Sequence, residues 1–151
     1  MKPLFVLLIA FILAVFSIKI FYHDYELALS AKIAMSVMLV FTAIAHFAFT
    51  KGMAMMIPGF IPFKKQLVYL TGIFEIAAAV GLLVPRLSLL TAWWLIVFFL
   101  CLLPANIYAA IKHLNYQKAS YDGNGINYLW FRVPLQVFFI AWVYLSAIRI
   151  I

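Results

Sequence analysis

Charged residues are scarce in this chain, and acidic residues are the scarcest. Lys, Arg, Asp and Glu make up 10% of the 151 residues, with 11 basic and 4 acidic side chains, whereas soluble domains carry about 25% charged residues. A single cysteine, Cys101, excludes an intrachain disulfide and a CxxC dithiol centre. His23, His46 and His113 show no metal-ligand spacing such as HExxH. We therefore expect no metal or haem centre within the chain.

The net charge of +7 does not indicate a nucleic-acid-binding protein. The basic residues stand singly between apolar runs, and Lys64-Lys65 is their only adjacent pair. Nucleic-acid-binding domains instead cluster Lys and Arg on one face, and the chain also lacks a glycine-rich phosphate loop. Single basic residues that flank apolar runs are typical of membrane proteins. We expect the lipid bilayer as partner, and no nucleic acid.

Apolar residues dominate the chain. Hydrophobic residues make up 69% and the mean hydropathy is +1.16, more than a soluble core of this length could bury. Since a helix of about 20 residues crosses a bilayer, the sequence predicts an all-α polytopic transmembrane bundle. It forms one domain, 1–151, with helices at about 3–21, 33–49, 67–84, 87–111 and 128–148. The first run resembles a signal peptide but lacks a small-x-small cleavage site, so we expect it to be retained.

The connection over residues 50–66 is apolar but too short to cross the bilayer. It carries no charge between Lys51 and Lys64, and Pro58 and Pro62 exclude a regular helix through it. We expect it to lie in the membrane interface or to fold across the end of the bundle.

Basic residues at the helix ends indicate the orientation. The basic residues predicted on the same side of the membrane as the N terminus are Lys2, Lys51, Lys64, Lys65, Lys112, Lys118 and Arg132. Those predicted on the opposite side are Lys19, Lys32, Arg86 and Arg149. Because basic residues concentrate on the cytoplasmic side, we expect a cytoplasmic N terminus in a bacterial inner membrane.

Polar side chains inside the predicted crossings are candidate functional residues, because burying them in a bilayer is costly. There are five: His46, Glu75, Asn106, Arg132 and Gln136. At 1.5 Å per residue, all of them fall in the half of the bilayer on the side of the N terminus. We expect them to form a buried polar cluster or a ligand site.

Glu75 requires a partner at its depth, and we expect it to contact Arg132, His46 or Gln136. A Glu75–Arg132 ion pair could simply fix the register of the helices, or Glu75 could serve a proton or a ligand. Asn106 follows Pro104, which frees the carbonyl of Leu100 and favours a kink. A kink beside an amide side chain is compatible with a ligand pocket or with helix packing alone.

Several short motifs occur in a specific order along the chain. They are His46-Phe47, Pro58-Gly-Phe-Ile-Pro62, Leu67-Val-Tyr-Leu-Thr-Gly-Ile-Phe-Glu75, Gly81-Leu-Leu-Val-Pro-Arg86, Pro104-Ala-Asn-Ile-Tyr108 and Arg132-Val-Pro-Leu-Gln136. In this order the chain resembles the DoxX-like membrane proteins over about residues 31–144, with the first helix as an addition. The resemblance implies a four-helix core. Namesakes of that family are associated with quinone-linked oxidation of reduced sulfur, and relatives accompany other redox systems.

The leading functional hypothesis is an accessory subunit of a membrane redox system that binds a quinone-like or other amphiphilic molecule. A quinone is then the candidate cofactor, and a redox protein or a second copy of this chain is the candidate protein partner. The alternatives are a structural or assembly protein, a small proton-coupled carrier that uses Glu75, and an acid/base membrane enzyme such as an isomerase.

Overall fold

The computed structural model describes residues 2–23 and 25–149, so that residues 1, 24, 150 and 151 of the predicted domain lie outside the described part. Within those ranges the chain is helical and contains no β-strand. The α-helices are α1 (Lys2–Tyr22), α2 (Leu27–Ala48), α3 (Thr50–Met55), α4 (Lys64–Leu83), α5 (Pro85–Ile111) and α6 (Leu129–Tyr144). A 3₁₀ turn, Ile126–Tyr128, precedes α6, and a π-helical segment, Leu145–Arg149, follows it.

Five helical stretches are long and apolar enough to cross a membrane. They are Lys2–Phe21, Leu27–Ala48, Lys64–Leu83, Pro85–Ile111 and Ile126–Arg149. Large apolar side chains cover their outer faces, as on α1, where Phe5, Ile9 and Phe16 are exposed. The predicted all-α bundle with five crossings is confirmed, and the fold is that of a polytopic membrane protein.

Two helices begin earlier than the sequence suggested. We expected α2 to begin at residue 33 after a polar connection, but it begins at Leu27, where the Glu26 carbonyl accepts the Ser30 amide and hydroxyl, each over 2.9 Å. The charge of Lys32 does not end the helix, because its long side chain can reach the interface. α4 begins at Lys64 and not at 67, directly after Phe63 in a left-handed conformation with φ 54°.

The segment 50–66 is partly helical, since α3 occupies Thr50–Met55. No helix continues from there through Pro58 and Pro62 to the start of α4, as expected for residues that lack the backbone N–H and force a fixed φ.

Most of the apolar core lies in one half of the bundle. Its buried members come mainly from the first half of α2 and α5 and the second half of α4 and α6, and include Met35, Leu82, Leu95 and Val143, while α1 contributes Leu7. Since consecutive crossings alternate in direction, these halves meet at the end far from the N terminus. Two hydrogen bonds tie them: Ser36 Oγ donates to the Ala79 carbonyl over 2.8 Å, and Trp142 Nε1 to the Ala31 carbonyl over 3.1 Å.

The tight turn between α4 and α5 makes these helices an antiparallel hairpin. α4 ends at Leu83 and α5 begins at Pro85, with Pro suited to the first turn of a helix. Gly81 lets the two helices approach, because a Cβ there would lie 2.4 Å from Thr91 Oγ1. The hairpin places the start of α4 and the end of α5 in the other half of the molecule, away from the core. The end of α2 lies in the same half.

The alternation of crossings can be tested by cysteine labelling. In a Cys101→Ser background, cysteines placed at Lys64 and Lys118 should react with a membrane-impermeant maleimide from one face, and a cysteine at Arg149 from the other. The reason is that α6 crosses the bilayer between Lys118 and Arg149. Labelling of Lys118 and Arg149 positions from the same face would contradict the five crossings.

Candidate functional site

A cavity of about 1140 Å³ occupies the half of the bundle that the apolar core does not fill. Its walls are mainly apolar, with side chains such as Met38, Leu67, Phe98, Leu102 and Phe139. All the polar residues singled out from the sequence line it, namely His46, Glu75, Asn106, Arg132 and Gln136. The structure therefore brings the predicted site residues around one cavity, where they form two separate groups of polar side chains.

The first group, the α2–α4 group, consists of His46, Thr71 and Glu75. Glu75 lies on α4 about 16 Å from the start of that helix, at 1.5 Å per residue, and is 3% exposed. Its Oε2 lies 3.6 Å from His46 Nε2. Gly72 allows this approach, since a Cβ at that position would lie 3.0 Å from the Cβ of His46. The expected contact between Glu75 and His46 is thus present.

The other ring nitrogen of His46 belongs to a small cluster of polar contacts. Nδ1 lies 3.2 Å from the Val68 carbonyl oxygen and 3.0 Å from the Thr71 hydroxyl, which donates to the same carbonyl over 2.8 Å. These contacts orient the imidazole ring so that Nε2 faces Glu75 Oε2.

Glu75 Oε2 is buried without a hydrogen-bond partner, although it lines the cavity. The 3.6 Å to His46 Nε2 is an ion-pair distance and too long for a hydrogen bond. Buried carboxyl oxygens are normally satisfied, and an unsatisfied one costs about 1–3 kcal/mol or more. This oxygen is therefore positioned to accept a hydrogen bond from a molecule in the cavity.

The second group, the α5–α6 group, consists of Asn106, Arg132 and Gln136. An Arg132 guanidinium nitrogen donates to Asn106 Oδ1 over 2.9 Å, and Asn106 Nδ2 donates to Gln136 Oε1 over 3.3 Å. Gln136 Nε2 in turn donates to the Phe99 carbonyl. The chain of bonds fixes the direction of both amides. Arg132 and Gln136 share a face of α6, one helical turn apart, as expected from their spacing.

Proline interrupts both helices that carry this group. Pro104 lies inside α5 just before Asn106, and Pro134 lies inside α6 between Arg132 and Gln136. Each proline removes one backbone hydrogen bond of its helix. The Phe99 carbonyl used by Gln136 is next to that of Leu100, the carbonyl that Pro104 frees. Pro104 and Asn106 both line the cavity, so this part of α5 borders a pocket.

Arg132 does not pair with Glu75, so the ion pair considered from the sequence is wrong. Within residues 2–23 and 25–149, Glu75 pairs with His46, and no carboxylate lies within 4.0 Å of the Arg132 guanidinium. The guanidinium instead lies 4.8 Å from the ring centroid of Tyr128 and 5.8 Å from that of Tyr116. Aromatic faces attract cations. The Arg132 charge is thus held by an amide and two rings, on a helix pair other than that of Glu75.

Two segments cover the polar end of the cavity. Residues 53–61, including Pro58 and Ile61, line it from one side, and residues 114–125 line it from the other. Pro58, Phe60 and Ile61 of the loop 50–66 line the cavity, which places this part of the loop at the polar end of the bundle. The two segments pack closely against each other at Gly52, because a Cβ there would lie 1.7 Å from the Tyr116 carbonyl oxygen. Phe49 adds an edge-to-face contact with the Tyr116 ring at 6.1 Å.

The second covering segment has its own local hydrogen bonds. The Ser120 hydroxyl donates to Asp122, which lowers the pKa of that carboxyl, and Lys118 lies 3.7 Å away. Asp122 is exposed and already has two partners. It therefore contributes little charge to the cavity that it borders.

Sequence reasoning missed Thr71, Tyr116 and Tyr128. Thr71 lies one turn before Glu75, so helical periodicity could have placed it on the same face. The two tyrosines lie in or next to a connection, where no periodicity predicts which side chain they reach. Thr42 also lines the cavity, and its hydroxyl bonds to the carbonyls of its own helix at Met38 and Leu39.

Comparison with known proteins identifies one family. The family model described as a domain of unknown function, DUF8561, matches residues 35–147. This range contains both polar groups and leaves α1 outside. No curated protein and no solved structure matches the chain.

Double-mutant cycles should distinguish the two polar groups. Glu75→Gln and His46→Gln should show a coupling of about 0.5–3 kcal/mol in the free energy of unfolding, because the side chains touch. As the control, Glu75→Gln and Arg132→Gln should couple by less than about 0.5 kcal/mol, since the pair shares no partner. Denaturant unfolding in detergent measures both. A larger coupling in the control cycle would show that Glu75 and Arg132 interact, and would contradict the division into two groups.

A second prediction concerns the contact between the covering segments. Gly52→Ala should destabilise the protein by about 1–3 kcal/mol, the usual cost of overpacking, although alanine is favoured over glycine in a helix. Gly59→Ala is the matched control, since a Cβ there meets nothing within 4 Å, and should change stability by less than about 0.5 kcal/mol. Equal effects of the two substitutions on thermal unfolding would show that α3 is not held against Tyr116.

Proposed function

This chain belongs to the DUF8561 family, and we propose that it binds a membrane-soluble amphiphile with a carbonyl- or hydroxyl-bearing headgroup, of which a quinone is the leading example. We further propose that it acts as an accessory subunit of a redox system in a bacterial inner membrane. The observation that carries the proposal is the buried, unpartnered oxygen of Glu75 in a largely apolar cavity.

The two polar groups offer complementary contacts to a headgroup. On the α2–α4 side, Glu75 Oε2 is free to accept a hydrogen bond. On the α5–α6 side, Arg132 has donors beyond the one that it gives to Asn106, because a guanidinium carries five N–H groups. A headgroup with a hydroxyl and a carbonyl, or with two interconvertible oxygens, would match both sides. Such a headgroup would also compensate the desolvation of Glu75.

The dimensions and walls of the cavity suit an amphiphile. Ligand pockets typically measure about 300–1,000 Å³ and combine apolar walls with few polar groups. A cavity of about 1140 Å³ can hold a ring headgroup with the first part of a tail. Phe41 on α2 and both Cys101 and Pro104 on α5 line the cavity while remaining exposed on the bundle surface. An apolar tail could leave the cavity between these helices, toward lipid.

The redox association rests on the resemblance of the ordered motifs to DoxX-like proteins. These motifs contain all the polar cavity residues named from the sequence, from His46 to Gln136. No group of three or more His, Cys, Asp or Glu side chains that could hold a metal ion occurs within residues 2–23 and 25–149. An accessory, ligand-binding role therefore suits the chain's own side chains better than a role as an electron carrier.

The pairing of His46 with Glu75 supports a second candidate, a small proton-coupled carrier. Both residues line the cavity, where a bound solute could exchange a proton with them. Proton uptake into reconstituted vesicles, driven by a solute gradient and lost in Glu75→Gln, would favour this candidate over the binding of a quinone.

Binding of a short-chain benzoquinone, added in its reduced quinol form under anaerobic conditions, tests the leading proposal, because the quinol hydroxyls can donate to Glu75 Oε2. Glu75→Gln and Arg132→Gln should each weaken its affinity about tenfold to a hundredfold, because hydrogen bonds to charged groups contribute about 1.5–3 kcal/mol. Equilibrium dialysis of the detergent-solubilised protein measures this.

Ser36→Ala is the matched control for that experiment. It removes a buried α2–α4 hydrogen bond outside the cavity, so it should lower the unfolding temperature while leaving the affinity within about twofold. If all three variants lose stability alike and benzoquinone affinity stays at the wild-type value, the polar groups are structural and the proposal is wrong.

A further inference from the structure

A second, smaller pocket of about 450 Å³ lies at the same end of the bundle as the polar groups. It is assembled from α3, the start of α4, the end of α5 and the connection to α6. Its lining includes the basic residues Lys51, Lys64 and Lys65 and the tyrosines Tyr108 and Tyr121. It is therefore a meeting point of four segments whose lining includes three lysines and two tyrosines.

Positive charge in this pocket is not neutralised by the protein. Its lining contains no Asp or Glu, and none of the three lysines forms an ion pair in the described ranges, 2–23 and 25–149. The acidic residues nearest in the fold are engaged elsewhere, because Glu75 contacts His46 in the cavity and Asp122 pairs with Lys118. A ligand in this pocket would meet a basic surface with no competing carboxylate.

One of the three lysines is held in place. Lys64 is half-buried, and its ammonium donates to the Ile57 carbonyl over 2.9 Å. An ammonium has three donors, so this bond leaves others for a ligand. Lys64 also follows Phe63, whose left-handed backbone sets the direction in which α4 begins. This part of the pocket is preorganised and is more than a set of mobile surface side chains.

Exposed aromatic residues place the pocket at the membrane interface. Phe60 is 84% exposed and Phe63 is 74% exposed, and both lie in the irregular segment that leads to Lys64. Rings this exposed beside the end of a transmembrane helix are suited to the boundary between headgroups and acyl chains. Lipid phosphates occupy the level just outside that boundary, where the lysines stand.

We propose that this pocket binds the headgroup of an anionic phospholipid. The lysines would contact the phosphodiester, the tyrosine hydroxyls would donate to its oxygens, and the acyl chains would run beside Phe60 and Phe63. Basic pockets between transmembrane helices are suited to anionic headgroups. A zwitterionic lipid fits less well, because its ammonium would meet the lysines. The site is distinct from the cavity and does not depend on what the cavity binds.

Lipid retention by the purified full-length protein tests this proposal. Native mass spectrometry would compare bound phosphatidylglycerol with phosphatidylcholine of the same acyl chains for the wild type and for Lys51→Gln/Lys65→Gln. Both lysines are exposed, so the fold should persist. At about fivefold for each lysine near an anionic lipid, the double variant should retain phosphatidylglycerol roughly 25-fold more weakly, with phosphatidylcholine unchanged.

The matched control is Lys2→Gln/Lys112→Gln, which removes the same charge from the same end of the bundle but outside the pocket. It should change phosphatidylglycerol retention by less than about twofold. If both double variants lose phosphatidylglycerol equally, the lipid is attracted by the basic surface as a whole, and the proposed site is wrong. If neither double variant loses phosphatidylglycerol, the proposed site is also wrong. Lys51→Arg/Lys65→Arg keeps the charges and should retain the lipid, which separates loss of charge from loss of fold.

Inorganic phosphate distinguishes a lipid from a soluble anion. If the pocket takes a lipid headgroup, phosphate at millimolar concentration should leave the bound phosphatidylglycerol in place, because it cannot use the apolar surface at Phe60 and Phe63. Displacement of the lipid by inorganic phosphate alone would show that the pocket is a soluble-anion site and would refute the assignment to a phospholipid.

Discussion

The contact between His46 and Glu75 is the constraint on which the polar half of the bundle depends. A carboxyl group in the middle of a transmembrane helix costs several kcal/mol unless a proton or a partner neutralises it. His46 supplies the partner from α2, and Gly72 gives α4 the room to bring Glu75 within 3.6 Å. Glu75 lines the cavity, and its Oε2 has no hydrogen-bond partner among the described residues.

The cavity follows from how the core is distributed. Apolar side chains of α2, α4, α5 and α6 pack together at the end far from the N terminus, whereas polar groups and the helix-internal Pro104 and Pro134 lie at the other end. The polar side chains of α5 and α6 bond to one another, whereas those of α2 and α4 leave Glu75 Oε2 without a hydrogen-bond partner among the described residues. Neither group contacts the other through a polar bond within those residues, and the cavity lies between them.

Much of the fold was predictable because the bilayer imposes it. Helix length, apolar runs and the prolines of the loop 50–66 predict the crossings, since only helices satisfy the backbone in lipid. The error at the start of α2 arose because local polar residues were interpreted as a connection between helices. Lys32 and Ser30 look like a polar connection in sequence, but a long basic side chain can extend to the interface and a serine can bond to its own helix at Glu26.

The sequence by itself determined that the protein is an all-α membrane bundle and that its intramembrane polar residues share one half of it, because depth follows from counting residues along a helix. Only the tertiary structure decided which of them touch. Whether Glu75 meets His46 or Arg132 depends on which helices are neighbours and on how each is rotated. That choice rests on long-range packing, such as Gly72 against His46 and Tyr128 against Arg132, which no local pattern encodes.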